Sequence, residues 1–344
     1  MHLLTPKRFL LNILGFGLFL LLVVATAPFI GAEKISLREA LHHLRFDAAP
    51  LQSPDVDILV FQRVPRIALG VLSGGALALV GAVFQAVLRN PLATPYTLGV
   101  SGGGALGAVV AISFSVLSVS WGPFSSVQIF ALMGSLINIA IVYGLARSRG
   151  HFNTSGLLLA GVTLGLISSA MILLVRYLSD PHQLVQLDRW MMGGVDVEGF
   201  RDLSALLPFL LPGCVLLLAH ARDLDQLSFG EEMAAGRGVP IARLQRIAFF
   251  GGSLVTSAVV AVTGPIGFVG LIVPHTVRRL VGPDHRLLLP CVFLAGGGFL
   301  VLCDTVARTI VAPTELPVGI LTSLMGGPFF LWLLVRGRFG EGGR

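Results

Sequence analysis

Ile67-Ala-Leu-Gly70-Val-Leu-Ser-Gly-Gly75-Ala-Leu-Ala-Leu-Val80-Gly-Ala-Val-Phe-Gln85-Ala-Val-Leu88 carries no charge from end to end. A surface helix of a soluble domain would show a polar stripe, and this stretch has none. A helix needs about 20 apolar residues to cross the hydrocarbon core of a bilayer. Comparable runs occur at Phe9 to Ile30 and at about 97–117, 125–146, 155–177, 203–220, 247–265, 268–281, 287–311 and 317–335. The expectation is an all-α polytopic membrane protein with about ten transmembrane helices. Segments 268–281 and 317–335 are flanked by Pro or Gly and are expected to be short or broken.

The composition agrees. Of 344 residues, 54% are apolar and 12% charged, roughly half the charged share of a soluble domain. The net charge of +6 comes from 24 basic residues, of which only Lys7 and Lys34 are lysines. They cluster in the connections between apolar runs, as a membrane topology requires, so nucleic acid is not an expected partner. With the N-terminus inside, the inner connections hold Lys7, Arg8, Arg89, Arg147, Arg149, Arg222, Arg237, Arg243, Arg246, Arg278, Arg279, Arg286, Arg336, Arg338 and Arg344. The outer ones hold Lys34, Arg38, Arg45, Arg63, Arg66, Arg176, Arg189, Arg201 and Arg308. That excess places both termini in the cytoplasm. It also leaves an outer arginine cluster that needs a reason.

Ala25-Thr26-Ala27 imitates a signal-peptide cleavage site. The preceding run is too long, and Pro28 follows directly, so an uncleaved first span is expected. Residues 31–62 form an extracytoplasmic loop in which Ser36 caps a short amphipathic helix. Cys214, Cys291 and Cys303 fall inside apolar runs without paired spacing, as buried free thiols do.

Several strings imitate catalytic motifs. Gly102-x-Gly104-x-x-Gly107 spells a dinucleotide fingerprint, but no Asp or Glu occurs between Asp57 and Asp180 to hold a ribose. The same gap strips Gly99-x-Ser101-x-Gly103 of a local triad partner. Both are read as helix-packing glycines, since small residues let helices approach closely in lipid. A Walker A loop is absent, because neither lysine precedes Ser or Thr. No catalytic, cofactor or metal residues are assigned.

Asp304 is the only carboxylate inside an expected span, four residues before Arg308, which places the two on one helix face. They are read as an ion pair with a possible role at the outer mouth. His275 and His285 are read as part of a hydrogen-bonded inner connection rather than a metal pair. The inner segment Arg222 to Arg246 is the most informative loop. Glu231 and Glu232 suit the start of a short helix, Gly238 suits its end, and Ala234, Ala235 and Gly236 offer a small surface for another protein's cleft.

Taken in order, Arg63-Val-Pro-Arg66, Gly81-Ala-Val-Phe-Gln85, Asn90-Pro-Leu-Ala-Thr-Pro95 with Leu98-Gly-Val-Ser101, and Leu158-Leu-Ala-Gly161-Val resemble a known family. So do Trp190-Met-Met-Gly-Gly194, Gly230-Glu-Glu-x-Ala234 through Gly238, Gly264-Pro-Ile-Gly-Phe-Val-Gly270-Leu-Ile-Val-Pro-His275, Asp284-His-Arg286 and Glu315-Leu-Pro-Val-Gly319. The chain resembles the FecCD/BtuC-type permeases of ABC importers for iron–siderophores, haem and cobalamin. That resemblance implies the type II importer permease fold, one transmembrane domain over 1–344 and a location in the inner membrane. It implies a homodimer or paired permease, two ATP-binding cassette ATPase subunits and a periplasmic substrate-binding protein. The chain itself would then be no enzyme.

The resemblance also carries roles residue by residue. The coupling loop, about 222–246, would dock into the ATPase through Glu231, Glu232, Ala235 and Gly238. Arg63, Arg66 and Arg308 would receive carboxylates of the binding protein. Thr163, Ser168, Ser169, Met191 and Met192 are candidates for the pathway lining. An ion-coupled secondary transporter is the other class considered, disfavoured by the shortage of midplane acids.

Overall fold

The computed structural model describes residues 5–31, 54–114, 122–147, 154–197 and 199–341, so the helix expected from Ser36 lies outside the described residues. Among the described residues there is no β-strand. The helices are α1 (Pro6–Thr26), α2 (Val64–Val87), α3 (Val100–Ser113), α4 (Ser126–Arg147), α5 (Thr154–Leu178), α6 (Pro181–Met192) and α7 (Arg201–Ala219). They continue with α8 (Ala221–Leu227), α9 (Glu231–Gly236), α10 (Ile241–Thr263), α11 (Val269–Val281), α12 (His285–Thr309) and α13 (Val318–Glu341).

Among the described residues, seven segments are long and apolar enough to cross a membrane: Pro6–Phe29, Pro54–Val87, Ser126–Ala146, Ser155–Leu178, Arg201–Ala219, Ile241–Thr263 and His285–Thr309. The other three expected segments are shorter. Within the described part of 97–117 the helix is the 14-residue α3, about 21 Å against a core of about 30 Å. Pro91 and Pro95 cannot continue a helix, and residues 90–99 close into turns instead, with Thr97 donating its amide and hydroxyl back to Thr94. Helix α11 spans 13 residues, and the apolar part of α13 is Val318–Leu333.

Helix α2 is the axis of the bundle. In its most apolar window 83% of residues are buried, against 6% for α1. It packs on α12, α10, α11 and α7. In lipid there is no hydrophobic drive between helices, so close backbone approach must supply the contact. Glycine supplies it. A Cβ on Gly74 would overlap the Gly296 carbonyl, and one on Gly296 would overlap Gly74, which locks α2 against α12. Gly81 meets the backbone of Gly270 in the same way, fixing α11. The two strings that imitated enzyme motifs belong here too. Gly103 lies against the Gly134 carbonyl and Gly107 against that of Phe130, forming the α3–α4 crossing.

Helix α6 has a different character. Asp180 and Gln183 form a reciprocal capping box at its start, and Asp188 pairs with Arg176 of α5. Its far end is tied down by backbone hydrogen bonds: Gly194 donates to the Thr263 carbonyl at 2.8 Å, and Gly319 donates to that of Gly193 at 3.0 Å. Met191–Met192–Gly193 is thereby wedged between the end of α10 and the start of α13.

Candidate coupling and docking surfaces

Helices α8 and α9 lie between the spans α7 and α10. Helix α8 is held inward by Leu224 and Leu227, both buried. Its Asp225 carboxylate accepts the backbone N–H of His285 and the ring Nδ1–H of the same residue, each at 2.7 Å. A carboxylate only accepts, so the neutral ring carries its proton on Nδ1. Asp225 therefore satisfies an otherwise orphaned donor at the start of α12. Arg286 pairs with Asp284 at 2.6 Å and lies 3.8 Å from Asp225. Its hydrogen bond holds the Asp284 carboxyl below the usual carboxylate range.

Helix α9 presents the surface. Glu231, Glu232, Met233, Ala235, Gly236, Arg237 and Gly238 are all exposed. Ala234 was expected on that surface and is instead fully buried, because its methyl points back toward the bundle. The helix ends where Gly238 turns to φ +87 and its N–H bonds the Ala235 carbonyl at 2.9 Å, followed by Val239 to Ala234 at 3.0 Å. That left-handed turn is what glycine permits at a helix end. The segment is braced by Gln245 to Glu231 at 3.2 Å, by Arg237 to Gln226 at 2.7 Å, and by the Arg237 guanidinium over the Phe229 ring.

At the opposite end of α2 and α12 the three arginines converge. A Cβ on Gly31 would sit 3.0 Å from Arg63 Nη2 and 3.6 Å from Arg308 Nη1. Arg63 donates to the Pro28 carbonyl. Arg66 clasps Asp304 with two bonds, Nε to Oδ2 at 3.0 Å and Nη2 to Oδ1 at 2.9 Å. Its Nη1 pairs with Asp196 at 2.7 Å and Glu315 at 2.6 Å. Arg308 Nε lies 3.1 Å from Asp304 Oδ2, the i,i+4 pair that the spacing implied.

The cluster is thus not a bare cationic patch. Arg63 and Arg308 are buried at 5% and 3% exposure, and Asp196, Asp304 and Glu315 pair with Arg66 and Arg308. The pairing of Asp196 and Glu315 with Arg66 was not foreseen from the sequence, because nothing local links them to it.

The pathway candidates do not share one face. Thr163 is exposed on α5, in line with exposed Leu159 and Leu166. Ser168 lies about 140° around the helix from Thr163 and is buried against Gly102 of α3, facing the bundle rather than a path. Ser169 is exposed and bonds the Gly165 carbonyl. Met192 is exposed, and Met191 packs toward Leu187 and Ile172. The two histidines also part. His285 belongs to the inner network, whereas His275 packs edge-on to Phe329 with Nε2 unpartnered among the described residues.

Comparison with known proteins gives this geometry its context. The family model of the FecCD transport family matches residues 18–336. The chain is 40% identical over 328 residues to the hemin transport system permease protein HmuU of Yersinia pestis, covering 94% of this chain and 96% of that one. It is 44% identical over 295 residues to the cobalamin import system permease protein BtuC of Halobacterium salinarum, covering 83% and 77%. A solved metal-chelate type ABC transporter in an inward-facing conformation superposes with a TM-score of 0.79 at 31% identity, covering 95% of this chain and 99% of its own. PsaBC from Streptococcus pneumoniae, at 16% identity and a TM-score of 0.56, shares the fold alone. With a family match over residues 18–336 and a relative of 40% identity over nearly the whole chain, the chain belongs to the FecCD transport family of ABC importer permeases.

Proposed function

We propose that this chain is the membrane-spanning subunit of an ATP-driven importer in the cytoplasmic membrane, with both termini inside. It passes a metal chelate (iron–siderophore, haem or cobalamin) received from a periplasmic binding protein. Two copies, or two paired permeases, enclose the path, and two separate ATPase subunits drive it. The observation that carries this reading is the exposed α9, preceded by α8, which is bolted to the start of α12 through Asp225 and His285. A surface loop with no partner has no need of such an anchor, whereas a lever on which another protein pushes does. Helix α12 is continuous over 25 residues and ends at Asp304 and Arg308, so a push at one face is delivered to the other.

In this reading Glu231, Glu232, Ala235 and Gly238 meet the ATPase. Thr163, Met191 and Met192 remain the path candidates. The decisive test is uptake by proteoliposomes containing the full assembly, offered haem, cobalamin and ferric siderophores in turn. Accumulation of one cargo that stops when the ATPase is omitted supports the proposal, and ATPase-independent accumulation refutes it.

Gly238→Trp should separate the two activities. The side chain has open space around it, but φ +87 disfavours any residue with a Cβ by about 1–2 kcal/mol. The bundle should be untouched while the coupling surface is deformed. Hydrolysis by the assembly should persist while uptake falls about tenfold, equivalent to about 1.4 kcal/mol of lost coupling. Undiminished uptake would remove this loop from the coupling surface.

Docking at the opposite face is proposed for Arg63, Arg66 and Arg308, with Asp196 and Glu315 occupying Arg66 Nη1 until carboxylates of the binding protein displace them. Both acids are more exposed than Asp304, at 68% and 39% of their side chains. Asp196→Asn with Glu315→Gln should therefore tighten binding-protein docking at low salt by about tenfold, with the gain shrinking as salt screens the pair. Weaker docking would mean that the two acids contact the binding protein directly.

A further inference from the structure

Apart from these surfaces, a groove of about 470 Å³ lies between α1 and α11, floored by α12. Its walls are almost wholly apolar, with Gly15 and Phe19 on one side, Ile272, Thr276 and Leu280 on the other, and Phe299 beneath. The groove exists because Gly15 is not a packing glycine. A Cβ there would meet nothing within 4 Å, unlike those at Gly74 or Gly81.

The geometry points to an anionic phospholipid as the occupant, with one acyl chain in the groove and its phosphate at Arg8 and Lys7. On α1 the lining residues run from Leu11 to Phe19, about 12 Å of helix rise. That length fits one leaflet of a hydrocarbon core about 30 Å thick. One turn beyond Leu11, at the mouth, stands Arg8. Its Nη2 donates to the Val281 carbonyl at 2.9 Å, which pins the guanidinium across the end of α11. A guanidinium has five N–H donors, so this bond leaves several for a phosphate. Lys7 beside it is exposed, and neither cation has a carboxylate partner among the described residues.

The span Pro6–Phe29 has 24 residues, about 36 Å, longer than the hydrocarbon core, so Arg8 falls at headgroup level. An acyl chain gains little on moving from lipid into an apolar groove, because both surroundings are equally apolar. Selectivity must come from the headgroup, where a phosphate and a guanidinium form a charge-assisted pair. A zwitterionic lipid brings its own cation to the same place and should bind more weakly.

Native mass spectrometry of the purified full-length chain, titrated with phosphatidylglycerol or phosphatidylcholine of identical chains, tests this. The unaltered protein should retain phosphatidylglycerol at least about fivefold better. Arg8→Gln, or Lys7→Gln if the first alters the thermal unfolding profile, should bring that ratio toward one. Gly15→Leu, which extends into open space, should lower retention of both lipids about threefold with an unchanged unfolding profile. A ratio near one in the unaltered protein, or Gly15→Leu retaining both lipids fully, would overturn the proposal. So would covalent dimers formed through Gly15→Cys on oxidation, which would show that a second copy fills the groove.

Discussion

A valine at position 81 should leave little folded protein. The Cβ would enter the backbone of Gly270, and neither helix can yield locally because both contacting atoms belong to main chain. Overpacking a core usually costs about 1–3 kcal/mol when side chains can shift. Here α11 as a whole must move off α2, which raises the expected loss to roughly 4 kcal/mol or more, among the largest effects of a single substitution. Thermal unfolding in detergent and the monodisperse fraction after solubilisation would measure it. Gly17→Ala is the control, since a Cβ there meets nothing within 4 Å, and it should unfold with the unaltered protein. Equal stability of Gly81→Val would mean that the α2–α11 contact is looser than the structure has it.

Asp304→Ala should be nearly as damaging for an electrostatic reason. Asp304 stands between Arg66 and Arg308, and all three are largely buried, at 4%, 14% and 4% of their side chains. Removing the carboxylate leaves two guanidiniums facing each other away from water. Breaking a buried pair by deleting one partner costs about 3–5 kcal/mol. Glu315→Gln removes a more exposed partner of the same Arg66 and should cost about 1 kcal/mol or less. The contrast between the two in thermal unfolding is the measurement. Equal small effects would show that water reaches the cluster and that Asp304 is no keystone. The double substitution Asp304→Ala with Arg308→Met, which also withdraws one of the stranded charges, should recover part of the loss.

Membrane class was legible because it is a matter of local composition. Ile67 to Leu88 has too few polar groups to face water over any helix turn, and that holds whatever the rest of the chain does. The i,i+4 pair of Asp304 and Arg308 was legible for the same reason, as helix geometry alone places them together. The end of α9 at Gly238 and the shortness of α11 follow from glycine and proline acting on their own neighbours.

What the chain does with its outer arginines was not legible to the same depth. Arg63, Arg66 and Arg308 stood out as a surplus on the wrong side, which suggested a cationic surface awaiting a partner. The structure brings Asp196, Asp304 and Glu315 from distant parts of the chain, so Arg66 and Arg308 already have carboxylate partners. Ala234 and Ser168 are buried for a related reason. Each sits on a helix whose rotation is set by what it packs against, and a single sequence does not state the partner. Asp225 and His285 are 60 positions apart, and only the fold brings that carboxylate to the start of α12.

By itself the sequence determined that the chain lives in a bilayer, roughly where most of its spanning helices lie, and which family's motifs it carries, but not the presence of α6. Those follow from hydropathy, from capping and breaking residues, and from the spacing of short motifs, all properties of neighbours along the chain. Only the tertiary structure decided which glycines are contacts and which are openings, which arginines are paired with carboxylates, and where α8 is fastened to α12. Those depend on close approach between residues far apart in sequence. In lipid the hydrophobic effect does not choose such pairings, and backbone fit and buried charge do.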